Sequence, residues 1–85
     1  MSEQMFYSAM DSTIFDHSKL RGRIVEKYGT LKAFYEKLPY TSEMAFRKVN
    51  GKGGLSRQDI LDWSNLLDIK VKDIPAYFFV LKVQL

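Results

Sequence analysis

An all-α domain of five short helices, finished by a short C-terminal strand, is what this sequence predicts, and three observations carry the prediction. Thr30 and Thr41 are both N-cap residues standing directly before helix-compatible runs, with Pro39 as a break between the two. Ser56 is followed three residues later by Asp59, the spacing of a capping box, just ahead of the apolar positions Ile60, Trp63 and Leu67. In residues 79–85 the period changes, because Leu81, Val83 and Leu85 alternate with Lys82 and Gln84.

Taken in order, residues 1–14 show no clean period and are expected to form an extension, although Phe6, Tyr7 and Met10 are apolar enough to dock. The first helix is expected to start with Asp16 as N-cap and with Phe15 and Leu20 as a hydrophobic staple. Its buried stripe is then Leu20, Ile24, Val25 and Tyr28. The second helix follows Thr30 and the third follows Thr41, and Gly51 is placed to close the third in a left-handed conformation. Phe34, Leu38, Ala45 and Val49 should bury, whereas Ser42, Glu43, Phe46 and Arg47 should face outward. Leu55 and Ile60 staple the fourth helix, whose core face is Ile60, Trp63, Ser64 and Leu67. A fifth helix starts near Asp73, since Pro75 is tolerated in a first turn. A lone strand at the end cannot satisfy its own backbone groups, and the chain offers no second good strand. Leu81, Val83 and Leu85 are therefore expected to pair with a partner chain and to dimerise the protein. The organisation expected is an extension over 1–14, a domain over 15–78 and a strand or tail over 79–85.

Eighty-five residues with 46% hydrophobic content suffice for one modest core, but not for a core and a substrate cavity. The absence of cysteine excludes disulfides and thiolate metal sites and is compatible with a reducing cytoplasm. No apolar run approaches the roughly 20 residues of a membrane span, and the first residues lack the pattern of a secretory signal. Net charge is +3, but residues 18–57 hold ten Lys/Arg against three acids, or +7, leaving −4 for the remainder. One basic face is expected to meet phosphates.

Two short helices at a tight turn are the helix-turn-helix layout, in which the second helix enters the major groove of DNA. On that layout Arg47 lies one and a half turns into the reading helix, where its guanidinium can bond guanine O6 and N7. It can equally pair with Glu43, four residues earlier. Ser42 can bond a base edge, and Glu43 can accept from cytosine N4 or simply favour the helix dipole. The free N–H groups after Thr30, with Lys32 beside them, offer a phosphate site.

The Thr30 cap, the eleven-residue step to Thr41, the aliphatic spacing of the third helix and its ending Lys48-Val49-Asn50-Gly51-Lys52 resemble the lambda-repressor superfamily. The residues at 15–29 and at 63–69 are similar to the first and fourth helices of small Cro-like regulators from phages and prophages of Gram-positive bacteria. The resemblance covers residues 15–84. It implies a five-helix lambda-repressor-like fold and places Asn50 and Lys52 as a clamp on the DNA backbone. It also implies that Phe46 is exposed, to meet a thymine methyl or to fill space near Tyr35. Three positions depart from the family's pattern: Leu31 stands where Gln is usual, Tyr35 where the residue is small, and Pro39 where Gly is usual. Leu31 removes a base-reading amide, and Tyr35 implies a shifted crossing of the two helices.

Catalytic chemistry has no visible carrier. His17 is the only histidine, sits beside Asp16 at a helix start and is expected to face solvent. Gly51, Gly53 and Gly54 lack the strand and the Gly-Lys-Ser/Thr of a phosphate loop. Trp63, Tyr77, Phe78 and Phe79 have core spacing. The sequence therefore points to a cytoplasmic, sequence-specific transcriptional regulator of a phage or prophage, binding operator DNA as a homodimer. It is expected to use no cofactor, metal or small-molecule substrate and to contact no membrane. The alternative is a protein-interaction module on the same scaffold, antirepressor or antitoxin-like, with Phe46, Met44 and the apolar tail as contacts.

Overall fold

The computed structural model describes residues 14–51 and 54–82. Five helices follow one another: α1 (Ser18–Tyr28), α2 (Leu31–Tyr35), α3 (Ser42–Asn50), α4 (Arg57–Leu67) and, after a 3-10 turn over Val71–Asp73, α5 (Ile74–Phe78). The all-α class and the helix-turn-helix pair α2–α3 agree with the sequence. The expected extension over residues 1–13 lies outside the described residues.

Local chemistry sets most helix ends. Thr30 Oγ1 accepts from Ala33 N–H at 3.0 Å, and Thr41 Oγ1 accepts from Met44 N–H at 3.1 Å, each satisfying a donor the helix leaves free. Ser56 and Asp59 close a reciprocal capping box, at 3.0 Å for Asp59 N–H to Ser56 Oγ and 2.9 Å for Ser56 N–H to Asp59 Oδ2. Pro75 falls in the first turn of α5. Asp68 ends α4 in the left-handed region and pairs with Lys27 of α1.

Three positions differ from expectation. Asp16 is not the cap of α1, because its Oδ1 accepts from Ser18 N–H at 2.9 Å in a turn that delays the helix to Ser18. Val25 is 47% exposed, since it lies about 100° round the helix from fully buried Ile24. Gly51 is extended (φ −116°) instead of left-handed. Its requirement is space, because a Cβ there would stand 2.8 Å from the Arg47 carbonyl oxygen.

The core gathers Leu20 and Ile24 of α1, Phe34 of α2, Val49 of α3, Trp63 and Leu67 of α4 and Phe78 of α5. Phe34 meets Trp63 edge-on, with centroids 5.1 Å apart and ring planes at 82°. Two of the three residues that depart from the family's pattern are absorbed here. Tyr35 is buried against Phe34 and Trp63, and Leu31 packs half-buried against the same cluster.

The tail has a strand partner within the chain, where the sequence offered none. Leu81 forms an antiparallel bridge with Phe15 of the same chain, flanked by Asp16 N–H to Val80 O at 2.6 Å and Lys82 N–H to Ile14 O at 3.0 Å. Residues 14–16 are thus an in-chain partner for the tail. Val83 and Leu85 lie outside the described residues.

Candidate interaction face on the third helix

α3 buries Ala45 and Val49 and turns Glu43, Met44, Phe46, Arg47 and Asn50 outward, with Ser42 and Lys48 between. The separation follows from helical period, since Ala45 and Val49 are four apart on one side. Of the base-contact set, Glu43, Phe46 and Arg47 share the open face and Ser42 is half-buried beside it. Glu43 and Arg47 form no ion pair with each other. Phe46 is 56% exposed and Met44 43%, large apolar areas for a face expected to read DNA.

A polar network fixes how α3 is presented. Lys48 Nζ donates to Asp59 Oδ2 at 2.8 Å, and the Tyr40 hydroxyl donates to Asp59 Oδ1 at 3.1 Å. Trp63 Nε1–H donates to the Tyr40 oxygen at 2.8 Å, while the Lys48 ammonium also lies 5.0 Å from the centre of the Tyr40 ring. Asp59 thereby caps α4, anchors the turn before α3 and holds α3 itself. Burial, together with the Asp59 charge and hydrogen bond, pushes the Tyr40 hydroxyl up to about 12 against the opposing Trp63 bond. Burial raises the Asp59 carboxyl as well, but the bonds from Lys48, Ser56 and Tyr40 outweigh it and hold the group below its ordinary value.

The far end of α3 is tied to α1. His17, expected to face solvent, is 2% exposed, and its Nδ1 bonds the Val49 carbonyl at 3.0 Å. Burial lowers its basicity against the pull of the Val49 and Phe78 carbonyls. Arg21 donates to Asn50 Oδ1 at 3.3 Å, and Asn50 Nδ2 donates to Phe46 O at 3.1 Å. Asn50, implied as a DNA backbone clamp, thus has both ends of its amide engaged within the protein. Asp16, His17, Arg21, Asn50 and Lys82 line a small polar recess at this end.

The remaining expected phosphate contacts are dispersed. Thr30 spends its hydroxyl on the α2 cap, Lys32 is exposed with its ammonium 4.0 Å from Glu36, and Lys52 lies outside the described residues. Among the described residues no three His, Cys, Asp or Glu side chains gather to hold a metal, and no helix is long and apolar enough to cross a membrane.

Sequence reasoning missed Tyr40, Asp59 as more than a cap, Lys48 and His17. Only the Ser56–Asp59 spacing signalled any part of this, because the other contacts join residues far apart in the chain.

No protein of curated function matches the chain. The fold is similar to the solution structure of the modulator of repression (MOR) of the temperate bacteriophage TP901-1 from Lactococcus lactis. That similarity has a TM-score of 0.72 and 34% sequence identity, and it covers 86% of this chain and 99% of that one. Residues 13–80, which include every described helix, match a family described as Protein of unknown function (DUF739), and the chain belongs to that family.

Proposed function

We propose that this chain is a phage or prophage regulatory protein that acts in the cytoplasm by binding another protein, a DNA-binding repressor, through the outward face of α3. On this reading it is a binding module on a helix-turn-helix scaffold and not an enzyme. The observation that carries it is the exposure of Phe46 and Met44 on a helix whose orientation is fixed at both ends. Phosphates and sugars reward cations and hydrogen-bond donors, whereas a protein surface rewards an exposed aromatic ringed by polar groups. The engaged amide of Asn50 and the inward-packed Leu31 weaken the case for DNA reading. The similarity to a phage modulator of repression supports the regulatory setting.

A second reading is kept by Arg47, which is exposed on α3, and by the +7 charge of residues 18–57. It holds that the chain binds operator DNA as a homodimer, with Arg47, Ser42 and Glu43 discriminating bases. Two titrations separate the readings: the purified chain against a DNA-binding repressor of the same phage or prophage, and the chain against random duplex DNA across a salt series. The first reading expects a complex with repressor and little DNA binding. DNA binding that falls steeply with salt, with no repressor complex, would overturn it.

A further inference from the structure

We infer that the Leu81 edge of the short ribbon formed by residues 14–16 and 80–82 is a self-association site, where a second copy of this chain adds antiparallel about a two-fold axis through Leu81. The hydrogen-bond pattern of the ribbon requires an open side. Asp16 N–H to Val80 O and Lys82 N–H to Ile14 O flank the Phe15–Leu81 bridge, so Phe15 and Leu81 form a non-hydrogen-bonded pair. The N–H and C=O of Leu81 therefore point away from Phe15, and neither has a partner among the described residues. Side chains around this edge are apolar and open: Leu81 is 63% exposed, Ile14 44%, Val80 42% and Phe79 37%. An exposed edge with open backbone groups and apolar side chains at Leu81, Val80 and Ile14 is a template for another strand.

The occupant follows from symmetry and charge. A donor and an acceptor on one residue are both matched by the same residue of an identical antiparallel strand, which is the hydrogen-bonded pair of an antiparallel ladder. Centring the axis on Leu81 places Lys82 of each copy opposite Val80 of the other, so the two ammonium groups avoid each other. The association is independent of the partner proposed for α3, because the tail ribbon and the α3 face use different residues.

Sedimentation equilibrium of the full chain from about 10 µM to about 1 mM tests this, the range suiting a small interface. The average mass should rise toward twice the monomer's. Leu81→Pro removes the outward N–H, which no in-chain bond uses, together with the exposed leucyl side chain, and proline is tolerated on an edge. It should lower association at least tenfold. Val80→Lys puts an ammonium opposite Lys82 of the second copy while facing Asp16 in its own chain, so it should weaken association with the fold retained. Circular dichroism confirms that each variant is folded. A wild-type chain that stays monomeric at the highest concentration would overturn the inference. So would a folded Val80→Lys variant that associates as tightly as the wild type.

Discussion

Replacing Asp59 by Ala removes the one carboxylate that ties the turn, α3 and α4 together, and its cost can be worked from the contacts. Loss of the capping box costs about 1 kcal/mol. Taking the carboxylate from the Tyr40 hydroxyl and from Lys48 costs about 2 kcal/mol more. That figure stays below the cost of breaking a fully buried pair, because the Lys48 side chain is 23% exposed. The sum of about 3 kcal/mol is a large part of the roughly 4 to 13 kcal/mol expected for a domain of this size. Urea unfolding followed by the fluorescence of Trp63, the only tryptophan and fully buried, reads it directly. Ser56→Ala should cost only the cap, about 1 kcal/mol. The Asp59 carboxyl is held below 3.8 when folded, so its contribution is complete above that value and is lost as the pH falls through the lower folded value. A loss no greater than that of Ser56→Ala would refute the hub and leave Asp59 as an ordinary cap.

Gly51→Ala should destabilise by about 1 to 3 kcal/mol through collision with the Arg47 carbonyl, read in the same urea assay. Because burial lowers the basicity of His17, the buried ring is favoured neutral, and stability should be complete above 6.5 and decline as the pH falls below it. His17→Gln should remove that slope from a pH series of thermal melts. Arg47→Ala tests the DNA reading: a lost base contact would weaken binding to a selected site by about 1 to 3 kcal/mol and relax one base pair per half-site. An equal loss on random DNA would show that Arg47 reads no base.

The legible parts of this fold were those written within one helical turn. Thr30, Thr41 and the Ser56–Asp59 box could be read because cap and recipient stand three residues apart. The pairing of Leu81 with Phe15 could not, since residues 14–16 have no alternating pattern and gain a partner only when the chain ends meet. His17 was misplaced for the same reason: its burial is created by Val49, 32 residues away. Gly51 was correctly marked as special but for the wrong cause, as a close approach leaves no mark distinct from a positive φ. Of the site, the outward set Glu43, Phe46 and Arg47 was readable from helical period. The engagement of Asn50 by Arg21 was not.

The central claim is that the face of α3 acts on a protein partner. The most direct measurement follows the fluorescence anisotropy of labelled operator DNA held by a DNA-binding repressor of the same phage or prophage, as the chain is titrated in. The expected result is a change in repressor occupancy at stoichiometric chain, abolished by Phe46→Ser. That variant should unfold within about 0.5 kcal/mol of the wild type, because the residue lies at the surface. The contradicting result is a repressor–operator complex indifferent to the chain, or one altered equally by wild type and Phe46→Ser.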